Sequence, residues 1–399
     1  MIAALAALNS HESDQKDSGG DFEYEDFLVV YDLFAAPGQI EEFARVVKKM
    51  AMAVCNWKSV LYINREQMDE FAASLEISSK PAVFARVHEL VGIEKADEIY
   101  LCRNWQFGNR LMLHAYRDAE KICYGDGIGL YFSEAYFLPE LESNGRSLIS
   151  LVKGRLRQVE NSLRGMVRPV ASPVVNPSSA SQVLAEVDFD VGYFLLPDIL
   201  GEKPPMKTRL VKKAFTDRIF QTLAAALDAE TADRYRYISR VPTVILMTSN
   251  FSEASRMSSE KEIRAYREFL KRLNFPREST LVVKPHPRDK EEKIEELGRA
   301  LSHLFSDVVL LTDPDLVFVP FEIFLMQTFR GENAQALRDL KIVTFSTACL
   351  SLELLFALVP VVGFGSEIVS KFFYEDYISG RIRHERDLQL ALQMLAQVA

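Results

Sequence analysis

Between Thr280 and Asp289 the chain reads TLVVKPHPRD. The β-prone run Thr280 to Val283 enters Lys284-Pro285-His286-Pro287-Arg288, where two prolines end a strand ladder and fix the backbone on either side of one histidine. An imidazole presented rigidly at a strand exit, with Lys284 and Arg288 beside it, suits a nucleotide phosphate. Taken alone it is equally well explained as a turn residue. Lys341 to Ala357 (KIVTFSTACLSLELLFA) repeats the arrangement with different chemistry. A strand from Lys341 to Phe345 ends in Ser346-Thr347, and an amphipathic helix follows over Leu350 to Leu358. Small hydroxyls and backbone N–H groups at a helix start make an anion site. In open parallel sheets, ligands bind at the carboxyl ends of strands.

Two further stretches carry chemistry-bearing residues. Tyr124-Gly125-Asp126-Gly127-Ile128-Gly129 leaves Asp126 exposed at a glycine-rich tip, a plain turn or a carboxylate offered to a substrate. Pro320-Phe321-Glu322 puts proline and an acid at a helix start, where both are favoured whatever their function. Basic residues gather in Ser147 to Arg168, with Arg155 and Arg157, and in Lys203 to Lys213, with Lys207. Solvated faces explain such runs, and so does a track that holds an anionic glycan.

The elements that must position these residues alternate. Strands are expected at Asp26 to Phe34, Ser59 to Asn64, Ala96 to Arg103, Lys121 to Tyr124 and Val191 to Leu196. Helices are expected at Gln39 to Val54, Arg65 to Leu75 and Gln106 to Ala119. After a Pro/Ser-rich loop at Pro169 to Ser181, a second series opens near Pro242. It has a strand at Thr243 to Met247, a helix at Glu260 to Leu273, the histidine-bearing strand, a helix at Glu291 to Leu304, a strand at Val308 to Leu311, and a last strand within Val359 to Gly365 before a helical tail. Alternation of this kind implies parallel pairing and Rossmann-like halves. No GxGxxG follows the first strand, so dinucleotide binding is not suggested.

Length and composition bound the reading. The 399 residues fit two domains of about 150 to 200 residues each. A net charge of −9 argues against general nucleic-acid binding. Cys55, Cys102, Cys123 and Cys349 stand far apart without CxxC spacing and read as reduced thiols of a cytosolic protein. The opening MIAALAALNSHESDQ lacks a basic region and is too short to span a bilayer, and His11 to Glu25 reads as disordered.

Lys-Pro-His-Pro at one strand exit and Ser-Thr before a helix at a later one resemble the HP and S/T motifs of bacterial sialyltransferases, most closely the polysialyltransferase-like capsule family. The resemblance runs from about Asp26 onward and is weakest between about Leu141 and Arg240. It implies a GT-B fold of two Rossmann-like domains facing a central cleft, with a disordered segment at 1–25, an acceptor domain at 26–240 and a CMP-sugar domain at 241–399. It implies an inverting, metal-independent transfer of sialic acid, or a related nonulosonic acid, from a CMP-activated donor to a glycan acceptor that could itself be an anionic polymer. The site so implied has Asp126 and His286 as catalytic residues and Lys284, Pro287, Glu322, Ser346 and Thr347 on the donor, while Arg155, Arg157 and Lys207 serve an anionic acceptor. No cofactor, metal or nucleic acid is expected, since the CMP-sugar is a substrate; the expected place is the cytoplasm, with room for peripheral association at the inner face of the membrane. Relatives carry an acidic-acidic-glycine motif whose first acid is the general base, but here Gly125 holds that position and Asp126-Gly127 match only the second and third. The base is then Asp126 on a shifted loop or another carboxylate such as Glu134. Two alternatives stay open: a CDP-glycerol-type polyol-phosphate transferase, and a non-catalytic nucleotide- or glycan-binding member of the fold.

Overall fold

Apolar runs without alternation, such as Val244 to Met247 and Leu281 to Val283, suit burial on both faces inside a parallel sheet covered by helices. The computed structural model describes residues 1–17, 23–31, 33–104, 106–125, 184–196, 206–228, 230–329 and 334–398. Asp126, Glu134, Arg155 and Arg157 lie outside the described residues, as do the basic run Ser147 to Arg168 and the loop expected at Pro169 to Ser181.

In chain order the first part holds α1 (Ile2–Asp17), β1 (Phe27–Val30), α2 (Ile40–Val54), β2 (Ser59–Tyr62), α3 (Arg65–Ile77), α4 (Lys80–Val91), β3 (Glu98–Leu101), α5 (Phe107–Ala115), β4 (Glu120–Gly125), β5 (Val191–Phe194), β6 (Lys207–Leu210) and α6 (Lys213–Ala226), then α7 (Glu230–Arg234). Next come β7 (Thr243–Met247), α8 (Ser259–Leu273), β8 (Thr280–Lys284), α9 (Glu291–Leu301), β9 (Asp307–Leu310), α10 (Pro314–Phe318), α11 (Phe321–Thr328), α12 (Ala334–Asp339), β10 (Lys341–Thr344), α13 (Ala348–Phe356), β11 (Val361–Val362), α14 (Ser366–Phe372) and α15 (Ile378–Val398). The strand pairings among the described residues are all parallel. β1 pairs with β2, β3 to β6 form a sheet in that order, and the later strands form a sheet in the order β11-β10-β7-β8-β9. In that last sheet the direction of winding reverses between β7 and β10, and such a reversal opens a crevice at the carboxyl ends. The fold is thus mixed α/β with Rossmann-like parallel sheets.

Local signals place several helices. Asn64 and Gln67 form a reciprocal capping box on α3, and Ser258 accepts from the Lys261 N–H at 3.3 Å to cap α8. Gly363 sits at φ +80, and a side chain there would collide with the Glu385 carboxyl group.

One expectation is overturned. Residues 2–17 were expected to end in disorder, yet they form α1, whose Leu5, Ala6 and Ala7 are buried with Met50, Ile219 and Leu223. Its polar half holds because several of its polar groups meet partners from distant elements. Ser10 accepts from the Lys212 N–H at 3.1 Å, Asp14 accepts from Arg209 at 2.8 Å and from Tyr193 at 3.0 Å, and His11 faces Glu98. Among the described residues, no helix is long and apolar enough to cross a membrane.

The core beneath the crevice is aromatic. Phe345 is 1% exposed, lies 4.2 Å from the Phe364 ring centroid, and also meets Phe251, Tyr266 and Phe269. It is the residue just before Ser346, so its packing sets where that hydroxyl stands. Phe345→Ala should lower unfolding free energy by about 3 to 5 kcal/mol in denaturant titrations. A loss under about 1 kcal/mol would contradict this packing.

Candidate functional site

The exits of β7, β8 and β10 meet at the reversal point. The connection between the first two is one buried carboxylate. Asp289 Oδ2 accepts from Thr248 Oγ1 and from the His286 N–H at 2.9 Å, and Asp289 Oδ1 accepts from Lys293 Nζ at 2.7 Å. Thr248 Oγ1 also lies 2.9 Å from the His286 nitrogen. The two prolines fix the turn in between, and His286 has little freedom left.

Its protonation follows from its neighbours. The Arg288 N–H donates to His286 Nδ1 at 3.1 Å, so the neutral ring carries its proton on Nε2. Burial, together with the charges of Arg288, Lys284 and Lys293, lowers the pKa of His286 to about 3. The site therefore holds a neutral imidazole that offers one N–H donor at physiological pH.

Arg288, Lys284 and Lys293 bring positive charge near the imidazole, and Arg256 adds to it beside Arg288. Arg256 is pushed down to about 10 by burial and by the charges of Arg381 and Arg288. Arg288 stacks over Phe34 at 4.3 Å and is itself lowered by burial and by Arg103. Cations that depress one another in a half-buried crevice create the potential an anion would relieve. The Ala36 N–H donates to the Pro287 carbonyl at 2.9 Å. The carboxyl ends of β1 and β3 thus face the His286 turn through Phe34, Ala36 and Arg103.

At the exit of β10, Thr347 is the N-cap residue of α13, but its hydroxyl makes no cap bond to its own helix. Ser346 Oγ has a long contact of 3.5 Å to Thr344 Oγ1. Both residues are half-buried. The loop is braced from behind by α15. Arg381 Nη1 donates to the Phe345 carbonyl at 3.2 Å and Arg381 Nε donates to Glu385 at 2.7 Å. Glu385 in turn accepts from the Phe364 N–H at 3.0 Å and the Gly365 N–H at 2.8 Å.

The structure brings His286, Pro287, Ser346 and Thr347 to one edge of one sheet, as the sequence suggests. Lys284 and Glu322 differ from expectation in what they touch. Lys284 is buried and donates to the Val317 carbonyl at 2.7 Å and the Pro285 carbonyl at 3.2 Å; burial brings its pKa down to about 8. Glu322 is also buried, accepts from Ser351 Oγ on α13, and has its pKa raised by burial. These two residues shape the floor of the crevice, and Lys284 adds charge beneath it. Lys207 is exposed at the amino end of β6, the opposite edge from the carboxyl ends, and is not brought to the site. Gly125 ends β4, with the Leu195 N–H donating to its carbonyl at 3.2 Å.

Sequence reasoning missed the residues that hold the turn: Thr248, Asp289 and Lys293. The only signal was an acid three residues after the histidine. Lys293 is 6% exposed and lies among Asp289, Glu253 at 2.7 Å and Glu262 at 3.2 Å. Burial works against the Lys293 charge, but the carboxylates outweigh it and hold its pKa above the ordinary value. Glu262 is pushed up to about 7 by burial.

Two consequences are measurable. Lys293→Met leaves three carboxyl groups in a buried pocket without their cation, and stability should fall by about 3 to 5 kcal/mol. Denaturation midpoints unchanged from wild type would refute the buried cluster. For His286 the folded pKa lies below the unfolded value of about 6.5, so the unfolded chain binds more protons and stability is lost as pH falls from about 6.5 towards about 3. His286→Gln should make the stability curve shallower across that window, whereas an identical slope would contradict the assignment.

A family model described as alpha-2,8-polysialyltransferase matches residues 40–328. The match takes in the His286 turn and Glu322 and stops before Ser346. No curated protein matches the chain. With well over half of its length covered, the chain belongs to the alpha-2,8-polysialyltransferase family, whose members are glycosyltransferases that transfer sialic acid.

Proposed function

We propose that the protein is an inverting, metal-independent glycosyltransferase of GT-B architecture, moving sialic acid or a related nonulosonic acid from a CMP-activated donor to a glycan acceptor. The observation that carries this reading is the neutral His286, locked by Asp289 and Thr248 with its Nε2–H left for a ligand. It stands near the charges of Arg288, Lys284 and Lys293 at the carboxyl edge of a parallel sheet, with Arg256 beyond Arg288. In this reading residues 241–399 bind the CMP-sugar and residues 26–240 bind the acceptor, across the crevice where Phe34, Ala36 and Arg103 face the His286 turn. The proposed place of action is the cytoplasm, with room for peripheral association at the inner face of the membrane.

The proposed chemistry is one displacement. The acceptor hydroxyl oxygen attacks the anomeric carbon of the donor sugar as the bond from that carbon to the CMP phosphate oxygen breaks with its electron pair. Charge grows on the phosphate, and the His286 Nε2–H, the Ser346 and Thr347 hydroxyls and the start of α13 receive it. Preorganised donors of this kind act where charge develops, and surrounding cations assist without a bound metal. The acceptor proton goes to a carboxylate at the carboxyl end of β4, for which Asp126 is the candidate. An ordinary aspartate, with a pKa near about 3.9, is ionised at neutral pH and can accept it.

Incubation with CMP-sialic acid and a sialylated oligosaccharide, with CMP release and product followed together, tests the reading. His286→Ala should reduce turnover by about two to three decades. Asp126→Asn should reduce transfer by about two to four decades while leaving CMP binding unchanged. Near-normal turnover by His286→Ala, or release from CDP-glycerol in preference to CMP-sialic acid, would overturn it.

A further inference from the structure

Away from the crevice, at the amino ends of the first sheet, a second group of side chains converges. Glu98 and Glu120 are register partners at the starts of β3 and β4, so two carboxylates stand side by side. Like charges directly opposite one another destabilise a sheet unless a cation lies between them. His11 of α1 is placed over the pair: its Nε2 is 3.1 Å from Glu98 Oε1 and 3.8 Å from Glu120 Oε2, and the Gln15 amide approaches the same nitrogen at 2.9 Å. One ring nitrogen thus faces three polar partners.

We propose that His11, Glu98 and Glu120 form a divalent-metal site, suited to Zn²⁺, that clamps α1 to the amino ends of β3 and β4. The three donor atoms all lie within 4.8 Å of one another. Tetrahedral zinc with bonds near about 2.1 Å places its ligand atoms about 3.4 Å apart, and the two distances from Nε2 fall on either side of that value. Imidazole and carboxylate are donors that zinc accepts.

The surroundings of the ligands fit the same assignment. Tyr193 Oη gives its proton to Asp14 at 3.0 Å, so at the 3.1 Å contact His11 Nδ1 is the donor to Tyr193, which leaves Nε2 for a metal. Tyr100 Oη donates to Glu98 Oε2 at 2.7 Å, which orients the second ligand. Metal-ligating histidines and carboxylates are commonly fixed by such outer partners. This site stands at the opposite strand ends from the crevice, and its ion would take no part in the transfer chemistry.

The test uses the full chain, stripped of metal with a chelator, dialysed against Zn²⁺ and assayed for bound zinc and thermal midpoint. Wild type should take up one zinc per chain and melt at a higher temperature with it. Glu120→Gln, a near-isosteric change at a half-exposed side chain that leaves the fold intact, should weaken that zinc by at least about 10-fold, and His11→Ala should remove it. Zinc uptake unchanged in Glu120→Gln, or a wild-type midpoint that zinc does not move, would overturn the proposal.

Discussion

The Asp289 carboxylate is the interaction on which the crevice depends. With one oxygen it ties Thr248, at the exit of β7, to the backbone of His286, at the exit of β8, and with the other it meets Lys293 on α9. A buried carboxylate with its acceptor positions filled holds its partners rigidly, because every alternative leaves an unsatisfied charge. That rigidity fixes the His286 turn, and the turn's own Arg288 N–H then determines which ring nitrogen carries the proton. Buried Lys293 completes the arrangement by balancing Asp289, Glu253 and Glu262 at once.

The second half of the crevice is held differently. No acid lies within the Ser346-Thr347 turn; instead Arg381 reaches the Phe345 carbonyl from α15, and Glu385 links that arginine to the backbone of Phe364 and Gly365. Phe345 anchors the turn in the aromatic core from below. A hydrogen-bonded carboxylate on one side and a braced arginine on the other keep the two exits of the crevice at fixed positions. The cations Arg256, Arg288 and Lys284 then act in a low-dielectric setting, where charge on a ligand interacts strongly.

How much of this was legible in the sequence depends on how local each interaction is. β7 and β8 were visible as unbroken apolar runs, and the proline-flanked histidine was visible as a strand exit, since both are encoded within a few residues. Ser346-Thr347 ahead of α13 was legible for the same reason. The edge strand β6, KTRL, read as part of a basic run because its outer residues are exposed and carry no apolar pattern. α1 read as disordered because its polar half finds Glu98, Tyr193 and Arg209 only after folding. Lys284 read as a phosphate ligand because its type and neighbours suit one; whether an ammonium turns outwards or to the Val317 carbonyl is decided by α10, which the local sequence does not encode. The joining of Thr248 to Asp289 was beyond reach, since it needs β7 and β8 paired in register first.

The central claim is that His286 is a neutral, Nε2-protonated donor directed at a phosphate. ¹⁵N-edited NMR of the imidazole, recorded at neutral pH before and after addition of CMP or cytidine, tests it most directly. The account predicts a protonated Nε2 and an unprotonated Nδ1 in the free protein, with the Nε2–H signal shifting on addition of CMP and unmoved by cytidine. An imidazolium, the opposite tautomer, or an equal response to both ligands would contradict it.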